Sequence, residues 1–233
     1  MFLPLKDENP TRIVPYVTFI LVGLNILGFF MELQASSPLA QRKLIFGMGA
    51  IPARFLRDVG PLPDFFLPAW MTLFTSLFLH AGWVHLGGNM LYLWIFGNNV
   101  EEYLGHVRFA IFYLLSGAAA TWAHILLNPA SQVPLIGASG AIAGVLGAYL
   151  LLYPRHQVLC LVFLFIFVQV IRIPAVWVLG FWFVIQLFRG TMSLGAAAEE
   201  GVAWFAHIGG FLVGLLMIQL ARKFGWNTYK RWY

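Results

Sequence analysis

Charge is scarce in this chain. Of its 233 residues only 10% are Asp, Glu, Lys or Arg, while 61% are hydrophobic. A soluble domain is nearer half apolar and about a quarter charged, so the composition excludes an ordinary water-soluble domain and implies a membrane protein. Cysteine is scarcer still: a lone Cys160 excludes an intramolecular disulfide and a thiolate metal cluster. Nothing in the first residues resembles a cleavable leader. Residues 1–12 hold Pro4, Asp7, Glu8 and Pro10 with no small-residue cleavage site nearby, so the first apolar run is expected to stay as an anchor. The nine acids (Asp7, Glu8, Glu32, Asp58, Asp64, Glu101, Glu102, Glu199 and Glu200) all fall in loops, tails or span ends. That argues against a proton-coupled transporter, which depends on a membrane-embedded carboxylate. Repeats, low-complexity tracts and a break in composition are lacking, so residues 1–233 are expected to form one membrane domain, with a core of about 15–221 and short tails.

Apolar residues and aromatics take up the space. The chain has 22 Phe, 9 Trp and 8 Tyr, and its mean hydropathy is +0.81. A helical span takes about 20 apolar residues. Six spans are expected, near Pro15–Met31, Gly82–Val100, Val107–Leu127, Ser139–Tyr153, within Val158–Phe188, and at Val202–Ala221. The fifth region is interrupted by Arg172 and Pro174. Its helix is expected over Pro174–Phe188, approached by a β-branched, aromatic-rich or interfacial segment. Glu32–Ala69 is too polar to span and too apolar for free solution, which predicts a long interfacial loop with short helices. The expected fold class is therefore an all-α membrane protein of six transmembrane helices.

Lys and Arg counts orient the spans. With a cytoplasmic N-terminus, Lys6, Arg12, Arg108, Arg155, Arg172, Arg222, Lys223, Lys230 and Arg231 lie inside, nine of the fourteen. Arg42, Lys43, Arg54, Arg57 and Arg189 lie outside. Both termini are expected in the cytoplasm. The basic, aromatic end "ARKFGWNTYKRWY" reads as an anchor at an anionic leaflet rather than a nucleic-acid site. In this topology spans two, four and six all begin at the outer face.

Those three beginnings carry the polar residues. Span six, "VAWFAHIGGFLVGLLMIQL", places His207 about five residues in from Val202, roughly 8 Å along the axis. Span four, "PLIGASGAIAGVLGAYLLLYP" from Pro134 to Pro154, opens on Ser139. Gly140-x-x-x-Gly144 on span four and Gly210-x-x-x-Gly214 on span six have the small-residue spacing that lets backbones approach. His207, Gly210 and Gly214 share one face. Ser139 and His207 are thus either a small residue and an interhelical hydrogen bonder, or a nucleophile and its base. Span two, "HAGWVHLGGNMLYLW", sets His85 and Asn89 four apart on one face, two donors suited to an oxyanion hole. A zinc site at His80, His85 and His207 is the rival. It lacks an HExxH pattern and a mid-span acid. Without a buried carboxylate, a nucleophilic Ser139 would belong to a Ser–His dyad rather than a triad.

"HAGWVHLGGNMLYLWIFGNNVEEYLG", "IGASGAIAGVLGAY" and "AHIGGFLVG", in that order, resemble the rhomboid intramembrane serine proteases from about Pro15 to Ala221. Each motif alone is modest; the ordered set is specific. The resemblance implies Ser139 as nucleophile and His207 as general base. It also implies His85, Asn89 and the Ser139 N–H as oxyanion stabilisers, Gly137 as shaper of the turn, and Glu101 as a structural acid tying helix ends to loops. It implies no cofactor and no metal. Single-span membrane proteins, met in the lipid bilayer and cut near their outer ends at small residues, are the implied partners. Two departures stand out: Trp70-Met71 where some members have Trp-Arg, and Ala143 where some have a Tyr stacked on the histidine. The small-residue loop Arg189–Gly201 is expected to cap the site, and span five to gate lateral entry. The alternative is a non-catalytic rhomboid-like protein that binds membrane clients. The absence of a transit peptide and the minimal length point to a prokaryotic plasma membrane.

Overall fold

A computed structural model describes residues 2–56, 67–164, 167–193 and 203–226. The chain begins with strand β1 (Phe2–Asp7) and then enters helix α1 (Tyr16–Leu33). Pro15 at the N-cap offers α1 no side-chain cap. The cap comes instead from Glu101, whose carboxylate accepts the Val17 N–H at 2.9 Å and the Thr18 N–H at 2.8 Å. Four N–H groups at a helix start lack intrahelical partners, and a buried acid from another helix here satisfies two of them.

Two short helices follow, α2 (Pro38–Met48) and α3 (Ala53–Leu56). Ser37 caps α2 by accepting the Ala40 N–H, with Pro38 at the first helical position, a residue suited to that place because its missing N–H costs nothing there. Residues 57–66, part of the expected interfacial loop, lie outside the described residues. Helix α4 (Ala69–Thr75) passes through a 3₁₀ turn, Ser76–Phe78, toward α5 (Trp83–Leu104). Gly105, at φ +80°, makes the sharp turn into α6 (His106–Leu127). Then come α7 (Ser139–Leu152), β2 (Gln157–Leu164), β3 (Phe167–Pro174), α8 (Ala175–Met192) and α9 (Trp204–Lys223).

Four of these helices, α1, α6, α8 and α9, are long and apolar enough to cross a membrane. The other two expected spans fall short in different ways. Helix α5 has 22 residues but carries Asn89, Asn98, Asn99, Glu101 and Glu102. Helix α7 has only 14 residues, about 21 Å at 1.5 Å per residue. It is the core of the bundle: every residue from Gly140 to Tyr149 is buried, and α5, α6, α8 and α9 all pack on it.

The all-α expectation needs correction. Within Val158–Arg172, β2 and β3 pair antiparallel, and the N-terminal segment adds a third antiparallel strand in the order β1-β2-β3. The register runs from Phe2 opposite Val162 to Asp7 opposite Val158, with an irregularity between Pro4 and Lys6. On the other side Gln157 lies opposite Pro174 and Leu164 opposite Phe167. Val158, Val162, Val168, Val170, Ile171 and Ile173 suit a pleated surface. Pro4, which cannot donate to a ladder, sits on an edge strand as such residues must. Tyr149 ties the sheet to α7 by donating to Asp7 Oδ2 at 2.8 Å.

Candidate active site

The loop between α6 and α7 positions Ser139. Leu135 pairs with Ala50 through two backbone hydrogen bonds of 2.8 and 3.0 Å, and the Gly137 N–H donates to Ser76 O at 2.8 Å. Gly137 has φ +119°, a conformation that L side chains rarely adopt. Space also forbids a side chain: a methyl on Gly137 would lie 2.7 Å from His85 Cε1, 2.8 Å from His85 Nε2 and 3.7 Å from Asn89 Nδ2. The two polar residues of α5 therefore close on the turn that delivers Ser139. At the start of α7, the Ser139 N–H is among the amides without an intrahelical acceptor.

His207 reaches Ser139 from α9, with Nε2 2.8 Å from Oγ. Main-chain contact between α7 and α9 brings this about. A methyl on Gly210 would strike the Gly140 carbonyl oxygen, and one on Gly214 the Gly144 carbonyl oxygen. A side chain at either place would hold the helices apart and withdraw the imidazole.

The donors beside the serine have a defined geometry. His85 Nδ1 accepts the Ala81 N–H at 3.3 Å, which leaves the neutral ring's proton on Nε2, the nitrogen against Gly137. Asn89 is buried, and its Nδ2 has no hydrogen-bond partner. An unpartnered buried donor costs stability, and donors left open beside a serine are what a developing oxyanion uses. Ser139, His207, His85 and Asn89 line one cavity of about 770 Å³. Its expected cap, Arg189–Gly201, falls largely outside the described residues, which end at 193 and resume at 203.

Residues outside the sequence expectations complete the surroundings. Gln186 of α8 places Oε1 2.8 Å from His207 Nδ1. Trp182, one turn earlier, lies 5.8 Å from the His207 ring at 38°. It supplies the aromatic neighbour that Ala143, wholly buried inside α7, does not. His124 of α6 also lines the cavity. A polar amide inside the apolar run "FWFVIQLF" was the available signal for Gln186. Arg54 of α3 donates to Leu67 O at 2.7 Å, two residues before α4. Glu101, fully buried, also meets His106 Nδ1 at 2.6 Å. It lies at the far end of α5 from His85 and takes no part in the cavity. For the rival zinc site, the His80 and His85 rings lie 5.0 Å apart, whereas His207 is turned to Ser139 and Gln186. Among the described residues, no group of three or more His, Cys, Asp or Glu is arranged to hold a metal.

Comparison with known proteins gives one answer. Residues 68–224 match the Rhomboid domain family model. Rhomboid protein 1, mitochondrial, of Saccharomyces cerevisiae is 31% identical over 193 residues, covering 80% of this chain and 50% of that protein. Rhomboid-like protein 11, chloroplastic, of Arabidopsis thaliana is 32% identical over 165 residues, 67% of this chain and 54% of the relative. Rhomboid protease GluP of Bacillus subtilis is 35% identical over 137 residues, 58% of this chain and 24% of the relative. The chain thus spans about half the length of its mitochondrial and chloroplastic relatives. Its apolar helices and this match make it an integral membrane protein, and it belongs to the rhomboid family.

Proposed function

We propose that this chain is an intramembrane serine endopeptidase working through a Ser139–His207 dyad. The observation that carries the reading is the 2.8 Å separation of Ser139 Oγ and His207 Nε2 at the wall of a cavity. Ser139 Oγ attacks a peptide carbonyl while His207 Nε2 takes its proton. The carbonyl oxygen becomes an oxyanion among His85 Nε2–H, Asn89 Nδ2–H and the Ser139 N–H, at the positive end of α7. His207 then protonates the leaving amine, and water, deprotonated by the same imidazole, releases the acyl group. Gly137, Gly140, Gly144, Gly210 and Gly214 hold the geometry, and Glu101 anchors α1 to α5. No step calls for a cofactor or a metal.

Six helices, α1 and α5 to α9, form the proposed spanning bundle, with both termini cytoplasmic and the cavity toward the outer face. Substrates are single-span membrane proteins in the same bilayer. Gly, Pro or small polar residues lower the cost of unwinding the helix around the scissile bond. A prokaryotic plasma membrane is the proposed location; relatives carry mitochondrial, chloroplastic and bacterial names.

The test is labelling by a fluorophosphonate, wild type beside Ser139→Ala. A label that needs Ser139 is the expected result. A folded wild type that takes none removes the protease reading in favour of a non-catalytic client-binding protein.

A further inference from the structure

His207 has two ring nitrogens, and the dyad uses one. The other, Nδ1, lies 2.8 Å from Gln186 Oε1. A glutamine presents an acceptor and a donor, and the orientation of the amide decides what it does. Here the amide nitrogen, Nε2, donates to the carbonyl of Trp182 on the same helix at 3.3 Å. The reversed orientation would set the amide oxygen against that carbonyl, two acceptors face to face. Gln186 therefore turns its oxygen to the imidazole, and Nδ1 must carry the proton. In neutral histidine the remaining nitrogen then holds a lone pair, and that nitrogen, Nε2, is the one facing Ser139 Oγ.

We propose that Gln186 is a positioning residue for the reaction, selecting the His207 tautomer that accepts the Ser139 proton. The proposal rests on the protease reading. It assigns to a neutral amide the orienting task that a buried carboxylate performs in a Ser–His–Asp triad. It also makes α8 part of the machinery. Trp182 and Gln186, one turn apart, both face His207, while Trp177, Phe181, Val184 and Phe188 of the same helix are exposed. Displacing α8 from α9 breaks the Gln186 contact and frees the imidazole to rotate or change tautomer. The base is set only while α8 is docked.

Three measurements on the full chain in detergent test this. The first is the ¹⁵N spectrum of His207 in the wild type, assigned with a His207→Asn control. A protonated Nδ1 and unprotonated Nε2 are expected, and the opposite tautomer overturns the proposal. The second is Gln186→Met, of similar length but without an acceptor. The rate of Ser139 labelling and kcat should fall by at least ~10-fold with KM within about 2-fold, a part of the about 10²–10⁴-fold that a positioned general base contributes. A folded variant that labels at the wild-type rate overturns the proposal. The third is Gln186→Glu, which keeps an oxygen acceptor and should label faster than Gln186→Met; equal loss in both overturns the acceptor role. Should both variants unfold, the wild-type spectrum still decides. A wild type with the expected tautomer but no Ser139 label fails the protease reading instead, which keeps the two failures apart.

Discussion

Gly214 lies with its Cα against the backbone carbonyl of Gly144, so that α9 and α7 meet through main chain with no side chain between them. One turn nearer the site, Gly210 and Gly140 repeat the contact. The Ser139–His207 hydrogen bond is downstream of this packing, because the two residues sit on the same two helices, one residue before Gly140 and three before Gly210.

Gly214→Ala is therefore expected to weaken both fold and site. The added methyl would lie 2.6 Å from Gly144 Cα, and backbone cannot swing aside as a flexible side chain does. Overpacking of this kind costs about 1–3 kcal/mol. The midpoint of thermal unfolding in detergent should drop by several degrees and Ser139 labelling should slow. A variant as stable as the wild type would show that the helices can separate without strain.

Asn89→Ala should leave stability nearly unchanged. Asn89 Nδ2 is buried without a hydrogen-bond partner, so its removal takes away an unsatisfied donor rather than a bond. The folded state should tolerate the change, with the unfolding midpoint moving by no more than about 2 °C. Cleavage should not: loss of one oxyanion donor lowers kcat by about 10²–10³-fold. Steady-state cleavage of a single-span substrate, with kcat and KM resolved, checks this. An unchanged kcat would remove Asn89 from the oxyanion hole.

The three-stranded sheet carries a pH signature. Burial raises the Asp7 carboxyl from 3.8 to about 6, although the hydrogen bond from Tyr149 pulls it back. The folded chain thus holds this proton more tightly than the unfolded chain. The stabilisation is whole below about pH 4 and is lost as pH rises through about 6. Wild-type unfolding midpoints should fall over that interval. Asp7→Asn, neutral throughout and still able to accept from Tyr149, should lack the step and melt a few degrees higher at pH 7. Parallel curves for the two proteins would mean that Asp7 ionises in the fold as it does in the open chain.

Glycine spacing and isolated polar residues made much of the site legible. Gly140, Gly144, Gly210 and Gly214 announce close packing by their period, and Ser139, His207, His85 and Asn89 stand out because little else in the first turns of their helices is polar. Gln186 was overlooked for a chemical reason. Acids are the residues that sequence patterns point to as partners for a histidine, whereas a neutral amide can orient an imidazole without the cost of burying a charge. Its relation to His207 also depends on how α8 rotates about its axis, which short-range pattern does not specify. The sheet stayed hidden because β1 pairs with residues some 150 positions away, Phe2 with Val162. A six-residue segment with Pro4, Lys6 and Asp7 looks like a tail until its partner is known. Ala143 reads as a loss only when the aromatic neighbour is expected on α7; here it arrives from α8 as Trp182.

The shortness of α7 bears on permeability. About 21 Å of helix set in a hydrocarbon layer of about 30 Å leaves roughly 9 Å of depth without a central helix, and the cavity in front of Ser139 occupies that end of the bundle. Ile142 and Leu146, one and two turns beyond the serine, still line the cavity; past Leu146 no residue of α7 does, and Gly147 through Tyr149 are buried. Under the proposed function, water would be supplied to the hydrolytic step from the Ser139 end while the far end of α7 stays packed, so a chain could be cut within the membrane without an open path along that helix.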